Sequence, residues 1–263
     1  MNDSAGSSRS LHLNYESRGS GHPLIILHGL FGSLDNWRTL SRRLSDRYRV
    51  ITVDLRNHGG SPHSAEFSCA LMAGDIVEFM HRHSIGSAHL LGHSMGGLVA
   101  MQVAVRQPEH VDKLVVVDIA PRAYAPAHDD IFDVLSSIRL ERFSNRNEVR
   151  PEIEKGIGDR SVSEFLLKNL VMAETGKLQW KMNLPILRAN YHEIISAPDW
   201  EGVFEKPALF IRGGNSDYIR PEDAGVIRKS FPLAEIATIP GTGHWVHAQA
   251  PGVFDELVRK FLS

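Results

Sequence analysis

The chain carries one cysteine, Cys69, so no intrachain disulfide can staple it. A lone thiol suits a reducing compartment, and a cytoplasmic location is the expectation. Long apolar runs are also missing, because no stretch reaches the roughly 18 residues that a spanning helix needs. The first residues, Met1 to Ser10, are polar and lack the apolar core of a signal peptide. Both absences argue against secretion and against a membrane span. Charge of one sign is not in excess either: 29 Lys and Arg face 31 Asp and Glu, a formal net charge of -2. That leaves no electrostatic footprint for nucleic acid, and small molecules become the expected ligands. The oligomeric state cannot be read from these residues. Cys69 has no cysteine partner and lies near an expected helix start, which suits a structural role.

What is present is a core-forming chain of 263 residues, 42% of them hydrophobic, enough for one large domain. Short apolar runs alternate with amphipathic segments, the signature of successive βα units in a parallel sheet. Strands are expected at Leu24 to Leu27, Val50 to Val53, Ala88 to Leu91, Lys113 to Val117, Ala208 to Ile211 and Ile236 to Ile239. Leu11 to Tyr15 is an expected antiparallel edge strand. Met72, Ile76, Phe79, Met80 and His83 recur at helical spacing, with Gly86 as the expected stop.

This rhythm breaks between Pro121 and Trp200, an interval far longer than an ordinary βα connection. Ile131, Leu135 and Ile138, then Val162, Phe165 and Leu166, repeat at helical spacing, while the polar run Arg139 to Arg150 suits a solvated face and turn. The expectation is a core of residues 1–120 and 201–263 with a helical cap, residues 121–200, inserted above the sheet's ligand-binding edge.

Gly92-His93-Ser94-Met95-Gly96 lies between an expected strand and an expected helix that stops before Pro108. A serine flanked by glycines two residues away on each side, in a strand-turn-helix context, reads as a nucleophile on a strained turn. The segment lacks the Gly-Lys-Ser/Thr ending of a phosphate loop and the Gly-x-Gly-x-x-Gly of a dinucleotide site, so no cofactor is expected. A serine hydroxyl needs a base. Of 14 histidines, His244 in Gly241-Thr242-Gly243-His244-Trp245 follows the last expected strand, where the chain order Ser, Asp/Glu, His places that base. His247 has no third ligand to make a metal site with His244.

Two aspartates end strands and suit the acid that orients His244: Asp118 after Leu114 to Val117, and Asp217 after Ala208 to Ile211. Asp217 also reads as a turn residue and Asp118 as a helix cap. Oxyanion donors are expected at the amides of Met95, which follows the nucleophile, and Leu30 in His28-Gly29-Leu30-Phe31-Gly32, with Phe31 as the alternative to Leu30. Phe31, Tyr124, Trp180 and Trp245, with Trp37, are candidate walls of a substrate pocket.

The segments His28 to Trp37, Asp54-Leu55-Arg56-Asn57-His58-Gly59, Gly92 to Gly97, Asp118-Ile119-Ala120-Pro121 and Gly213 to Ser216 resemble the α/β-hydrolase family, and within it bacterial esterases of the YbfF type. The resemblance spans nearly the whole chain. It implies a mostly parallel sheet flanked by helices, and hydrolysis of short-to-medium acyl esters through an acyl-enzyme, with acyl-CoA thioesters as the alternative substrate. It also implies that Asp118 is the acid, although this chain carries Asp at position 217 as well, and that Arg56, Asn57 and His58 are structural. Arg139, Arg142 and Arg146 could meet a CoA phosphate, but suit a solvated face better. A ligand-binding protein that keeps the fold without turnover is the reading from another class.

Overall fold

The computed structural model describes residues 11–263, so Met1 to Ser10 lie outside the described residues. The chain runs β1 (Tyr15–Arg18), β2 (His22–Leu27), α1 (Arg38–Leu44), β3 (Tyr48–Val53), α2 (Cys69–Arg82), β4 (Ala88–His93), α3 (Met95–Arg106) and β5 (Val111–Val117). Next come α4 (Asp129–Ser137), α5 (Arg146–Ile157), α6 (Arg160–Leu167), β6 (Leu170–Met172), β7 (Leu178–Trp180), α7 (Leu184–Ala189) and α8 (His192–Ile195). The sheet resumes with β8 (Ala208–Gly213), α9 (Ala224–Ser230), β9 (Ala234–Ile239), α10 (Val246–Gln249) and α11 (Pro251–Leu262).

Seven strands form one sheet in the order β1-β3-β2-β4-β5-β8-β9, parallel except for β1, which runs antiparallel to β3. Central strands are buried on both faces, which is why they read as continuous apolar runs rather than alternating ones. One face packs Ile25, Leu90, Val116 and Phe210 under α2 and α3; the other packs Leu24, Leu91, Val115 and Leu209 with Leu44 and Phe254. Beneath the loop after β3, the Arg56 guanidinium is sealed against Asp75, Nε to Oδ2 at 2.7 Å, at 2% and 1% side-chain exposure. Asn57 at φ 64° continues this tight turn, and His58 is buried under it.

The edge strand begins where the expected one ends, at Tyr15, because pairing with Val53 sets the register. The helix stop before β4 falls at Ser84, φ 53°, rather than at Gly86. Between β5 and β8 the chain adds five helices and the two-stranded sheet β6-β7, a hairpin that the periodicity did not show. No helix among the described residues is long and apolar enough to cross a membrane.

Candidate active site

Strand β4 delivers Ser94 into a backbone conformation that side chains rarely adopt, φ 52° and ψ -121°. The turn leaves no room for a side chain beside it: a Cβ on Gly92 would lie 2.1 Å from the Gly96 carbonyl oxygen, and one on Gly96 would lie 2.6 Å from the carbonyl oxygens of Leu27 and His28. The Ser94 N–H donates to the Val117 carbonyl at 2.9 Å, and its own carbonyl receives the first bonds of α3, from Gly97 and Leu98. The side chain is thus held at the C-terminal edge of the sheet, at the N-terminus of a 12-residue helix whose dipole favours negative charge.

Asp118 ends β5 with φ 52°, its N–H bonded to the Ile211 carbonyl at 2.8 Å. It is fully buried. Oδ1 accepts the Gly213 N–H at 2.9 Å, and Oδ2 accepts the Ser216 hydroxyl and faces His244 Nδ1 at 2.9 Å. A carboxylate at that position requires the proton on Nδ1, which leaves Nε2 of His244 free to accept one. Asp217, by contrast, is exposed, and its carbonyl takes the Arg122 guanidinium at 3.0 Å. Its neighbour Ser216 is the residue of that turn that bonds Asp118, while Asp217 lines the cavity beside Tyr218.

His244 sits on the loop from β9 to α10, pinned by Gly243 N–H to Gln249 Oε1 at 2.6 Å and by His93 Nε2 to the His244 carbonyl at 2.9 Å. Its ring stacks on Tyr218, centroids 4.0 Å apart. Burial, reinforced by His244 itself, holds His93 well below the usual imidazole range, His247 at about 3 and His128 at about 4. These neighbours stay neutral at pH 7, so an imidazolium forming at His244 meets no second cation among them.

On the other side of Ser94, a Cβ on Gly29 would lie 3.3 Å from the Ser94 Cβ, so the loop from β2 passes close to the hydroxyl. The N–H groups of Leu30, Phe31 and Met95 have no hydrogen-bond acceptor among the described residues. Phe31 holds φ 59°, with its carbonyl tied to Asn169 Nδ2 at 2.5 Å. Two cavities meet at Ser94. One of about 360 Å³ is lined by Phe31, Trp37, Phe165, His244 and Trp245; a second of about 200 Å³ by Leu98, Ile119, Tyr124, Tyr191, Ile194 and Ile195, with Leu30 bordering both and Met95 the second.

Trp180 is a correction. It lines a separate polar cavity with Asn14, Asp54 and Lys181, and is absent from the walls of both cavities at Ser94; it ends β7, paired with Leu170 of β6. His247 stacks on Trp37, 4.3 Å between centroids. Arg139, Arg142 and Arg146 are exposed and line neither cavity at Ser94. Sequence reasoning missed Ser216, Tyr218 and Asn169 as parts of this site: each acts through a long-range contact that leaves no local pattern.

A parallel sheet with a strained serine at a strand-turn-helix corner, and a histidine-carboxylate pair on the next loops, defines a hydrolase of the nucleophile-elbow type. The chain belongs to the α/β-hydrolase family. The model for the alpha/beta hydrolase fold matches residues 22–150. Esterase YbfF of Escherichia coli is 35% identical over 94% of this chain and 96% of that protein. The sn-1-specific diacylglycerol lipase ABHD11 of Danio rerio is 35% identical, covering 99% of this chain and 86% of that protein. Among solved structures, a marine microorganism esterase superposes with a TM-score of 0.94 at 40% identity, over 96% of this chain and all of that one.

Proposed function

We propose that this protein hydrolyses carboxylic esters through an acyl-enzyme on Ser94. The observation that carries the reading is the fully buried Asp118 carboxylate 2.9 Å from His244 Nδ1, with His244 and Ser94 on the wall of one cavity. Ser94 Oγ attacks the ester carbonyl carbon while His244 Nε2 takes its proton; Asp118 fixes the tautomer and stabilises the imidazolium. The oxyanion is held by the Leu30 and Met95 amides, each such donor worth about 3 kcal/mol in the transition state. Collapse of the tetrahedral intermediate breaks the bond to the alkoxy oxygen, which leaves as the alcohol with the proton from His244. Water, deprotonated by the same imidazole, then cleaves the acyl-enzyme. No step calls on a cofactor.

The similarity to an esterase and to a diacylglycerol lipase supports ester substrates. Two largely apolar cavities meeting at Ser94 suit an acyl group on one side and an alcohol on the other. Residues 121–200 supply Tyr124, Phe165 and Ile194 to those walls, and we assign them the role of a cap that selects the substrate.

A panel of p-nitrophenyl esters and acyl-CoAs, run on the wild type and on Ser94→Ala, tests this. Turnover of short-to-medium esters that vanishes in Ser94→Ala is expected. Preference for acyl-CoA would move the assignment to a thioesterase, and tight binding of esters without turnover to a ligand-binding protein.

A further inference from the structure

At the other end of the sheet, the beginnings of β2, β4 and β5 bring together His22, His89 and Asp112. One ligand-type atom of each lies within 4.8 Å of the others. We propose that these three residues form a binding site for a divalent ion of the zinc type, separate from the chemistry at Ser94.

The placement follows from strand register. His89 pairs with Leu24 across β2 and β4, so His22, two residues earlier on β2, shares the His89 face. On the other side, Ala88 pairs with Val111 and Leu90 with Leu114, so two residues of β5, Asp112 and Lys113, stand opposite His89 alone. That bulge is the kind of irregularity that re-aims a side chain. Here it lets Asp112 reach His22, Oδ2 to Nε2 at 2.9 Å, while Lys113 turns its ammonium to the carbonyls of Phe261 and Ser263.

A second observation points to a ligand. His89 is 7% exposed, and its Nδ1 is sealed from solvent with no hydrogen-bond partner. Asp112 Oδ2 is equally sealed, and its approach to His22 is close without being a directed hydrogen bond. Buried polar atoms are seldom left so. Two imidazoles and one carboxylate suit zinc, copper or nickel rather than calcium or magnesium. Around a tetrahedral zinc, with bonds of about 2.0 to 2.2 Å, neighbouring ligand atoms sit roughly 3.4 Å apart, so the cluster closes on an ion with shifts of about an ångström. Such an ion would clip three adjacent strands.

The test uses the full chain without a polyhistidine tag, stripped by chelator, and titrates it with Zn2+ by calorimetry and with Co2+ by absorption. One equivalent of Zn2+ per chain, visible bands of four-coordinate Co2+, and a rise in Tm are expected. His22→Gln, at an exposed position that does not endanger folding, and Asp112→Asn should each weaken binding by about tenfold or more. Zn2+ binding of equal strength in wild type and His22→Gln would place the ion on other histidines and overturn the site. So would no saturable binding at 100-fold molar excess, or a Co2+ spectrum indistinguishable from the aqueous ion.

Discussion

At the C-terminal edge of the sheet, Phe31, Ser94 and Asp118 all hold positive φ without being glycine, and a Cβ on Gly92 or Gly96 would strike backbone atoms. In residues 121–200, positive φ falls on Gly158 and Gly176, where a Cβ would meet nothing within 4 Å. Each strained non-glycine residue costs on the order of 1 to 3 kcal/mol, which only a surrounding that over-determines the backbone can sustain. Strands β2, β4 and β5 provide that surrounding. Within residues 121–200 no non-glycine residue holds positive φ, so less of that backbone is fixed by strain. The contrast supports the proposal that bonds are broken at the sheet edge while the insertion selects the substrate.

The largest effect that can break this contrast is at the acid. Asp118→Asn should lower kcat by about 10⁴, since the amide favours the wrong tautomer of His244. Asp217→Asn should leave kcat nearly unchanged; steady-state kinetics with the two values reversed would move the acid to the exposed turn.

Acid titration of stability probes the buried edge next. Burial holds His28 at about 4 and His58 at about 3, both below the ordinary 6.5. The unfolded chain therefore takes up protons first as pH falls. Stability from these neutral imidazoles is complete above pH 6.5 and declines as the pH drops towards 4 and then 3, by roughly 3 kcal/mol for His28. Urea unfolding at pH 7.5 and pH 4.5 should show this loss, and His28→Gln should shallow it; an unchanged midpoint between the two pH values would contradict the assignment.

The smallest effect belongs to the insertion. Ile194→Ala, which widens the second cavity, should shift preference between short and longer acyl esters by about tenfold, the lower end of what one methylene is worth in an apolar pocket. Its kcat on the acetate ester should stay close to wild type. A large fall in kcat with no change in preference would mean that the insertion holds the chemistry as well.

Much of the sheet was legible because its strands are buried on both faces, so Ile25-Ile26-Leu27 and Val115-Val116-Val117 read as unbroken apolar runs. Strand ends were less so: the expected strands stop short of Gly213 and His93, where polar or glycine residues continue the ladder. The β6-β7 hairpin is invisible to periodicity at three residues per strand. Ser94 and His244 were legible through glycine spacing and chain order. Asp118 and Asp217 were not separable by either, since both follow a strand; a hydroxyl two positions past Gly214, Ser216, takes the inward place. Ring chemistry alone makes Trp180 a candidate pocket wall, whereas its place in the hairpin puts it on a different cavity.

Labelling with a fluorophosphonate, followed by intact mass and peptide mapping of the folded protein, tests the central claim most directly. One adduct per chain on Ser94 is the result expected, absent in Ser94→Ala and slowed in His244→Gln. A folded protein that takes no label at Ser94, or that is labelled equally well without His244, would contradict the account.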